Sequence, residues 1–326
     1  MEKGLKPKTV ITYEGKDVSG DFAPILHGVT FKDFLDGRAG EIEINLSNRE
    51  GFFGADWYPD IDDEMHILMG YEGGDMLDTG IFWVDEIGLS GGNSGDTCNI
   101  RALSLRSSGL NSAIQKKNHA GRPVADIVNE VAETLKCRAR GDLSGTWSGM
   151  QNETGLRFLN RLACELGRIC KVEGTDLIFY PIEQLGQIGQ LEIKRGDVFN
   201  YDLKDVATGR ISKCTVKWWD QKKKKHISGS YNTGIKGGGE VVRWEEVKDN
   251  AEAQKKAKDF ITDRNKKGIE FSISMIGDVR LRAGVSVRMV GFGRFDGIYY
   301  ISEATHIVNS SGYTTNVTLQ KPQKND

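Results

Sequence analysis

Several segments of the chain alternate strictly between apolar and polar residues, the pattern of a strand that buries one face. In GEIEINLSN, Ile42, Ile44 and Leu46 share one face, while Glu41, Glu43 and Asn45 share the other. The same alternation runs through Cys98, Ile100 and Ala102 in TCNIRA, through Cys214, Val216 and Trp218 in KCTVKWWD, and through Val285, Val287 and Met289 in GVSVRM. With forty glycines to form tight turns, many short strands are predicted toward both ends of the chain.

The period changes in the middle. Val124, Ile127, Val128, Val131 and Leu135 recur at three- and four-residue steps after Pro123, which suits the first helical position. A second amphipathic helix is predicted in NETGLRFLNRLACELG, with Leu156, Leu159, Leu162, Ala163 and Leu166 as its stripe, Asn152 or Thr154 as cap and Gly167 as stop. Leu159, Leu162 and Leu166 are expected to pack on the strand TDLIFY that follows. A third helix is predicted in NAEAQKKAKDFITDRNKKG, with Ala253, Ala257, Phe260 and Ile261 inward and Gly268 at its end.

An internal repeat links the two β-rich ends. GIFWVDEIGLSGGNSGDTCNIRA (80–102) and GIYYISEATHIVNSSGYTTNVTL (297–319) share seven of 23 positions at a constant offset of 217. The identities are Gly80/Gly297, Ile81/Ile298, Glu86/Glu303, Ser94/Ser311, Gly95/Gly312, Thr97/Thr314 and Asn99/Asn316. Chance would give about one or two at ordinary residue usage. MGYEGG and VGFGRF also correspond if the second copy has a connection four residues shorter. Residues 65–105 and 285–320 are therefore expected to adopt one strand order. The alternative is two unrelated hairpins of similar composition.

Composition narrows the class. A chain of 326 residues has room for two or three cores, and with 38% hydrophobic residues and no long apolar run it is expected to be soluble. MEKGLKPKTVITYEGK lacks an apolar signal core, so synthesis in a cytoplasm is expected. Cys98, Cys137, Cys164, Cys170 and Cys214 form no C-x-x-C pair and are expected as free thiols. A net charge of −2 supplies no basic field to hold nucleic acid.

Candidate chemistry fails on spacing. Asp60, Asp62, Asp63 and Glu64 suggest a calcium loop, but Met65 stands where the turn needs glycine and Tyr71 where a bidentate glutamate belongs. GFGRFDG (Gly291, Gly293, Gly297) joins two strands and reads as a hairpin connection, and Gly91, Gly92 and Gly95 in GGNSGDT read as turn residues. His27, His66, His119, His226 and His306 lie far apart, and Cys98, Cys164 and Cys214 fall on apolar faces. Lys222 to Lys225 with His226, beyond Trp218 and Trp219, could bind nucleic acid but fit a solvated hairpin tip better. No catalytic, cofactor-binding or metal residue is assigned, and no cofactor is expected. A carboxylate pair for glycoside hydrolysis would be set by distance in space, and no spacing points to one.

The order of NETGLRFLNRLACELG and TDLIFY, then KCTVKWWD with its basic hairpin, then VRMVGFGRFDGIYYISEATHIVNSSGYTTNVTL, resembles the late control gene D family of phage tail proteins. These are baseplate hubs, with relatives in the spike base of type VI secretion and contractile injection systems. The resemblance spans most of the chain. It implies a mainly β fold with an α+β portion: two tandem tail-tube-like β-barrels (1–108 and 195–326, the second with one helix) separated by an inserted helical α/β region (109–194). It further implies a non-enzymatic virion structural protein, a homotrimer whose six barrels present a pseudo-sixfold face to the hexameric tail tube protein and whose threefold symmetry matches a central spike protein. Other baseplate proteins and a tape measure protein are further implied partners. DNA would pass without specific binding, and no stable membrane insertion is expected. The chain lacks a long C-terminal extension, so a spike or lysin is expected on a separate polypeptide. The implied location is the virion tail baseplate, after synthesis in the host cytoplasm. The rival readings are a tail-associated cell-wall hydrolase and a carbohydrate-binding host-recognition protein.

Overall fold

The computed structural model describes residues 5–55, 57–93, 95–106, 113–181, 184, 190–205, 210–221, 224–235, 237–265 and 269–321. The expected boundary at 108/109, the helix stop Gly268, and Lys222, Lys223 and Ser94 lie outside the described residues.

The chain is mainly β. The first part holds β1 (Pro7–Tyr13), β2 (Lys16–Asp17), the helical turn α1 (Ser19–Phe22), β3 (Leu26–Phe34), β4 (Glu41–Ser47), β5 (Glu64–Tyr71), β6 (Met76–Ser90) and β7 (Thr97–Leu103). The middle holds β8 (Gln115–Asn118), β9 (Arg122–Pro123), α2 (Val124–Thr134), β10 (Arg138–Gly141), β11 (Thr146–Trp147), β12 (Met150–Glu153), α3 (Gly155–Glu165), β13 (Arg168–Glu173) and β14 (Asp176–Pro181). The last part holds β15 (Gln190–Lys194), β16 (Val198–Asp205), β17 (Ile211–Asp220), β18 (Lys225–Asn232), β19 (Gly239–Trp244), α4 (Asn250–Asn265), β20 (Ile269–Ile276), β21 (Ser286–Val290), β22 (Gly297–Asn309) and β23 (Gly312–Gln320).

Thirteen of the described strands form one sheet in the order β16-β20-β23-β22-β3-β4-β7-β6-β5-β1-β2, with β21 alongside β22 and β15 alongside β21. The alternating residues behave as their pattern requires: Ile42, Ile44, Leu46, Cys98, Ile100 and Ala102 are all buried in the core of the first copy. Val287, Met289, Tyr299, Ile301, Val317 and Leu319 fill that of the second.

Register carries the repeat further than sequence identity does. In the first copy Val84 faces Ala102 and Glu86 faces Arg101, so Asp85 is bulged out; in the second Ile301 faces Leu319 and Glu303 faces Thr318, so Ser302 is bulged out. Every one of these positions is related by the offset of 217. Gly80 and Gly297, and Gly95 and Gly312, all have positive φ, which explains why glycine recurs at both places. The strand order β7-β6-β5 is matched by β23-β22-β21. One detail differs from expectation. Met65 faces Phe82 and Val287 faces Tyr299, so the second connection is five residues shorter, not four. A bulge between His66 and Leu68 absorbs the extra residue.

Two smaller bodies complete the chain. Helices α2 and α3 pack with β13 and β14 around Leu159, Leu162, Leu177 and Phe179, all fully buried. Leu166 is half-buried at the end of α3, and Gly167 follows in the left-handed region as a helix stop. Pro123 precedes α2 at the cap instead of occupying its first turn, because its ψ of 136° is extended. Asn152 lies in β12, and Thr154 occupies the cap position of α3 without a side-chain cap bond. The other body, between β16 and β20, is the sheet β18-β17-β19 with α4 on one face, held by Cys214, Val216, Ile227, Ala253, Ala257 and Ile261. Phe260 packs against this core partly buried.

Candidate functional site

The two copies meet along one ladder. β3 runs antiparallel to the second half of β22, with Val29 opposite Val308 and Phe31 opposite His306. The Leu35 N–H donates to Ser302 O at 3.0 Å, and Arg38 bridges to Glu303 at 3.0 Å. His306 is fully buried here and stacks on Phe31. Its Nε2 lies 2.8 Å from the Leu281 carbonyl, which can only accept, so Nε2 carries the proton and Nδ1 accepts from the Tyr313 hydroxyl at 2.8 Å. Burial pushes His306 down to about 4; the Leu281 carbonyl opposes the shift, while the nearby Arg282 charge adds to it.

Beside this ladder, Asp33, Lys171 and Ala283 join three parts of the chain. Lys171 Nζ donates to Asp33 Oδ2 at 3.2 Å and to Ala283 O at 3.0 Å, and the Ala283 N–H donates to Asp33 Oδ2 at 3.0 Å. Both charged side chains are only 7% exposed. Asp33 belongs to the first copy, Lys171 to the helical body and Ala283 to the second copy. Sequence reasoning missed all three residues.

The residues weighed for chemistry scatter. The acidic run closes a turn in which the Tyr13 hydroxyl donates to Asp63 and the Asp60 N–H donates to Asp63 Oδ2 at 3.0 Å. His66 pairs with Asp78 at 2.7 Å, His119 is buried on Phe158, and His27 and His226 are exposed on other elements. Burial pushes the thiols of Cys98 and Cys137 up to about 11 and that of Cys170 up to about 12, away from thiolate chemistry. Burial likewise raises Cys214. Cys164, expected on an apolar face, is exposed, because the stripe of α3 runs through Phe158, Leu159 and Leu162 and leaves it outside. No group of three potential metal ligands occurs among the described residues. Asp202 and Glu303 line one open depression, each bridged to a cation, Lys204 and Arg38 respectively. GFGRFDG is the β21–β22 connection, where Asp296 accepts from Gly291 N–H at 3.2 Å and Phe292 N–H at 2.5 Å.

What the surface offers is apolar contact area. Phe52, Trp57, Tyr58 and Ile61 are exposed between β4 and β5, with Phe52 stacked on Trp57. The face of β18-β17-β19 opposite α4 presents Trp219, Val242 and Trp244, and Trp219 packs against His226 beside the basic hairpin tip. The outer edges of β6 and β16 carry Leu89, Phe199 and Tyr201, all exposed.

The fold is similar to that of solved phage-tail proteins. A tail protein from Neisseria meningitidis MC58 matches with a TM-score of 0.72 at 13% identity, covering 97% of each chain. The 43 kDa tail protein of prophage MuSo2 from Shewanella oneidensis also gives 0.72, at 14% identity, covering 97% of this chain and 99% of its own. A type VI secretion component of E. coli, described as similar to T4 bacteriophage tail proteins gp27 and gp5, gives 0.59 at 12% identity, covering 99% of this chain and 76% of its own. Within that class the resemblance is to baseplate hubs. The probable baseplate hub protein of Escherichia phage 186 is 24% identical, and that of Escherichia phage P2 is 23% identical, each covering 97% of this chain and 93% of its relative. A YQBQ-like family model matches residues 216–320.

Proposed function

We propose that this chain is a structural, non-enzymatic baseplate hub of a phage tail or related injection machine, located in the virion tail after synthesis in the host cytoplasm. Three copies form a ring, in which six related β-units face the hexameric tail tube while the threefold axis carries the central spike. The units are the first tail-tube-like barrel (1–108), the α/β insertion (109–194) and the second barrel (195–326), which draws β15 to its sheet edge. The observation that carries this reading is the agreement of strand order, register and bulge at Asp85 and Ser302 under one offset, which is what two equivalent docking units per chain would require. Two units per chain turn a threefold ring into a quasi-sixfold one, the simplest adaptor between the two symmetries. Tube, spike, other baseplate and tape measure proteins are the proposed partners, and DNA passes without specific contacts.

Sedimentation equilibrium of the purified chain tests the ring. A trimer is expected, and a monomer at every concentration overturns it. Zymography on purified cell wall tests the rival class: lysis that one carboxylate substitution abolishes would replace the hub by a hydrolase.

A further inference from the structure

The ladder that joins the two copies inside one chain has an unfilled counterpart. Within the chain, β3 of the first copy pairs with β22 of the second. The repeat maps β22 onto β6, with His306 corresponding to Leu89 and Ile307 to Ser90, since His306 faces Thr315 where Leu89 faces Cys98. It maps β3 onto β16 by a second shared bulge. Leu26 faces Leu46 and Gly28 faces Asn45, while Val198 faces Met275 and Asn200 faces Ser274, so a single residue, His27 or Phe199, is bulged out in each. Val29 therefore corresponds to Tyr201, Thr30 to Asp202, Phe31 to Leu203 and Lys32 to Lys204.

Among the described residues, both counterparts have a free edge. β6 pairs with β5 only as far as Trp83, and beyond it β7 is its one strand partner among the described residues. β16 pairs with β20 on one side and with no described strand on the other. Side chains expose the same gap. His306 is 0% exposed but Leu89 is 45%, and Val29 is 0% exposed but Tyr201 is 49%. Phe31 is 2% exposed, while Leu203 is half-buried. Apolar residues are open to water where, in the other copy, a strand covers them. Unpaired edges flanked by exposed apolar side chains are what a neighbouring strand fills.

We propose that β16 of one chain pairs antiparallel with β6 of the next copy of this chain, in the register that β3 takes on β22. Leu203 then lies opposite Leu89, Asp202 opposite Ser90 and Lys204 opposite Gly88. The inference rests on the ring reading and gives it an interface. β6 is in the first copy and β16 in the second, so each chain offers one of each, and the contact runs head to tail until the ring closes. Intra-chain and inter-chain junctions then alternate around it as near-equivalents.

Cysteine pairing on the full chain, in a Cys164→Ser background that keeps the four buried thiols, tests the register. Facing Cα atoms in an antiparallel pair are about 4.5–5.5 Å apart, within disulfide reach, and a two-residue shift is not. Chains carrying Ser90→Cys mixed with chains carrying Asp202→Cys should cross-link roughly tenfold faster than Ser90→Cys mixed with Lys204→Cys. Leu89→Asp should weaken assembly by roughly tenfold or more without changing the far-UV spectrum of the monomer. A trimeric wild type whose aligned and shifted pairs cross-link equally overturns the ladder and leaves the ring standing. Register-specific cross-links in a particle that is dimeric or an open filament support the ladder and overturn the ring. A wild type that stays monomeric and never cross-links overturns both.

Discussion

Replacing Lys171 with methionine removes the ammonium that holds three parts of the chain together while keeping most of its volume. In the intact protein the Asp33 carboxylate, 7% exposed, receives Lys171 Nζ at 3.2 Å and the Ala283 N–H at 3.0 Å, with Arg282 Nε no closer than 3.9 Å. Without Lys171 the carboxylate keeps one backbone donor and a distant guanidinium, and the Ala283 carbonyl loses its 3.0 Å donor. Removing one partner of a buried ion pair costs about 3–5 kcal/mol, and that is the expected loss for Lys171→Met. Asp33→Asn retains an oxygen for the Ala283 N–H but leaves the buried Lys171 ammonium without its counter-charge, so a similar loss of about 3–5 kcal/mol is expected. In the double variant neither side leaves an unmatched charge, and the two losses should fall short of additivity by about 1–3 kcal/mol. Urea denaturation followed by both circular dichroism and tryptophan fluorescence reads the cycle, and hydrogen exchange of the Ala283 segment reads it locally. A loss below about 1 kcal/mol for Lys171→Met, with the double variant additive within about 0.5 kcal/mol, would refute the idea that this pair ties the units.

Leu162→Ala should cost about 2–5 kcal/mol in the same denaturation assay, because Leu162 is fully buried between α3 and the β13–β14 pair. His306 gives a pH signature. Its folded value near 4 lies below the unfolded value of about 6.5, so the unfolded chain binds the proton first; the stability linked to neutral His306 is complete above about 6.5 and is lost as pH falls toward 4. Denaturation midpoints measured across that window should fall for the wild type and flatten in His306→Gln. Gly229→Ala should undock α4, since a Cβ there would sit 2.2 Å from the Gln254 backbone nitrogen; a cost of about 1–3 kcal/mol and faster exchange of α4 amides are expected.

Strand faces, the two amphipathic helices of the middle and the third helix were legible because each is encoded within a dozen neighbouring residues. The repeat at 80–102 and 297–319 was legible because both copies keep their turn glycines and run without insertion. Its other half was not. Aligning β3 and β4 with β16 and β20 requires offsets of 172 and 229, since the body containing β17, β18, β19 and α4 is inserted between the second pair. A search at one offset passes over Lys32/Lys204 and Glu41/Glu270, identities that register makes plain. Asp33 and Lys171 were invisible for a different reason: each sits in an ordinary strand pattern, and their pairing depends on three segments far apart in the chain. Gly229 looks like any glycine in a polar strand until α4 lies across it.

The duplication also explains why the isolated chain has the surface it has. A single copy of the repeat would show two free edges, and joining the two copies through β3 and β22 satisfies one edge of each. The remaining pair, on β6 and β16, cannot meet within the chain, because the sheet places them on opposite sides of the satisfied junction. In the proposed ring, another copy would cover their apolar side chains. The buried Asp33–Lys171–Ala283 contact lies beside the satisfied junction and ties the helical body to it, whereas Leu89 and Tyr201 mark the open one. In the proposed ring, a chain that fixes one junction internally would form half as many contacts between molecules to close six units, and each such contact would have a template already folded inside every subunit.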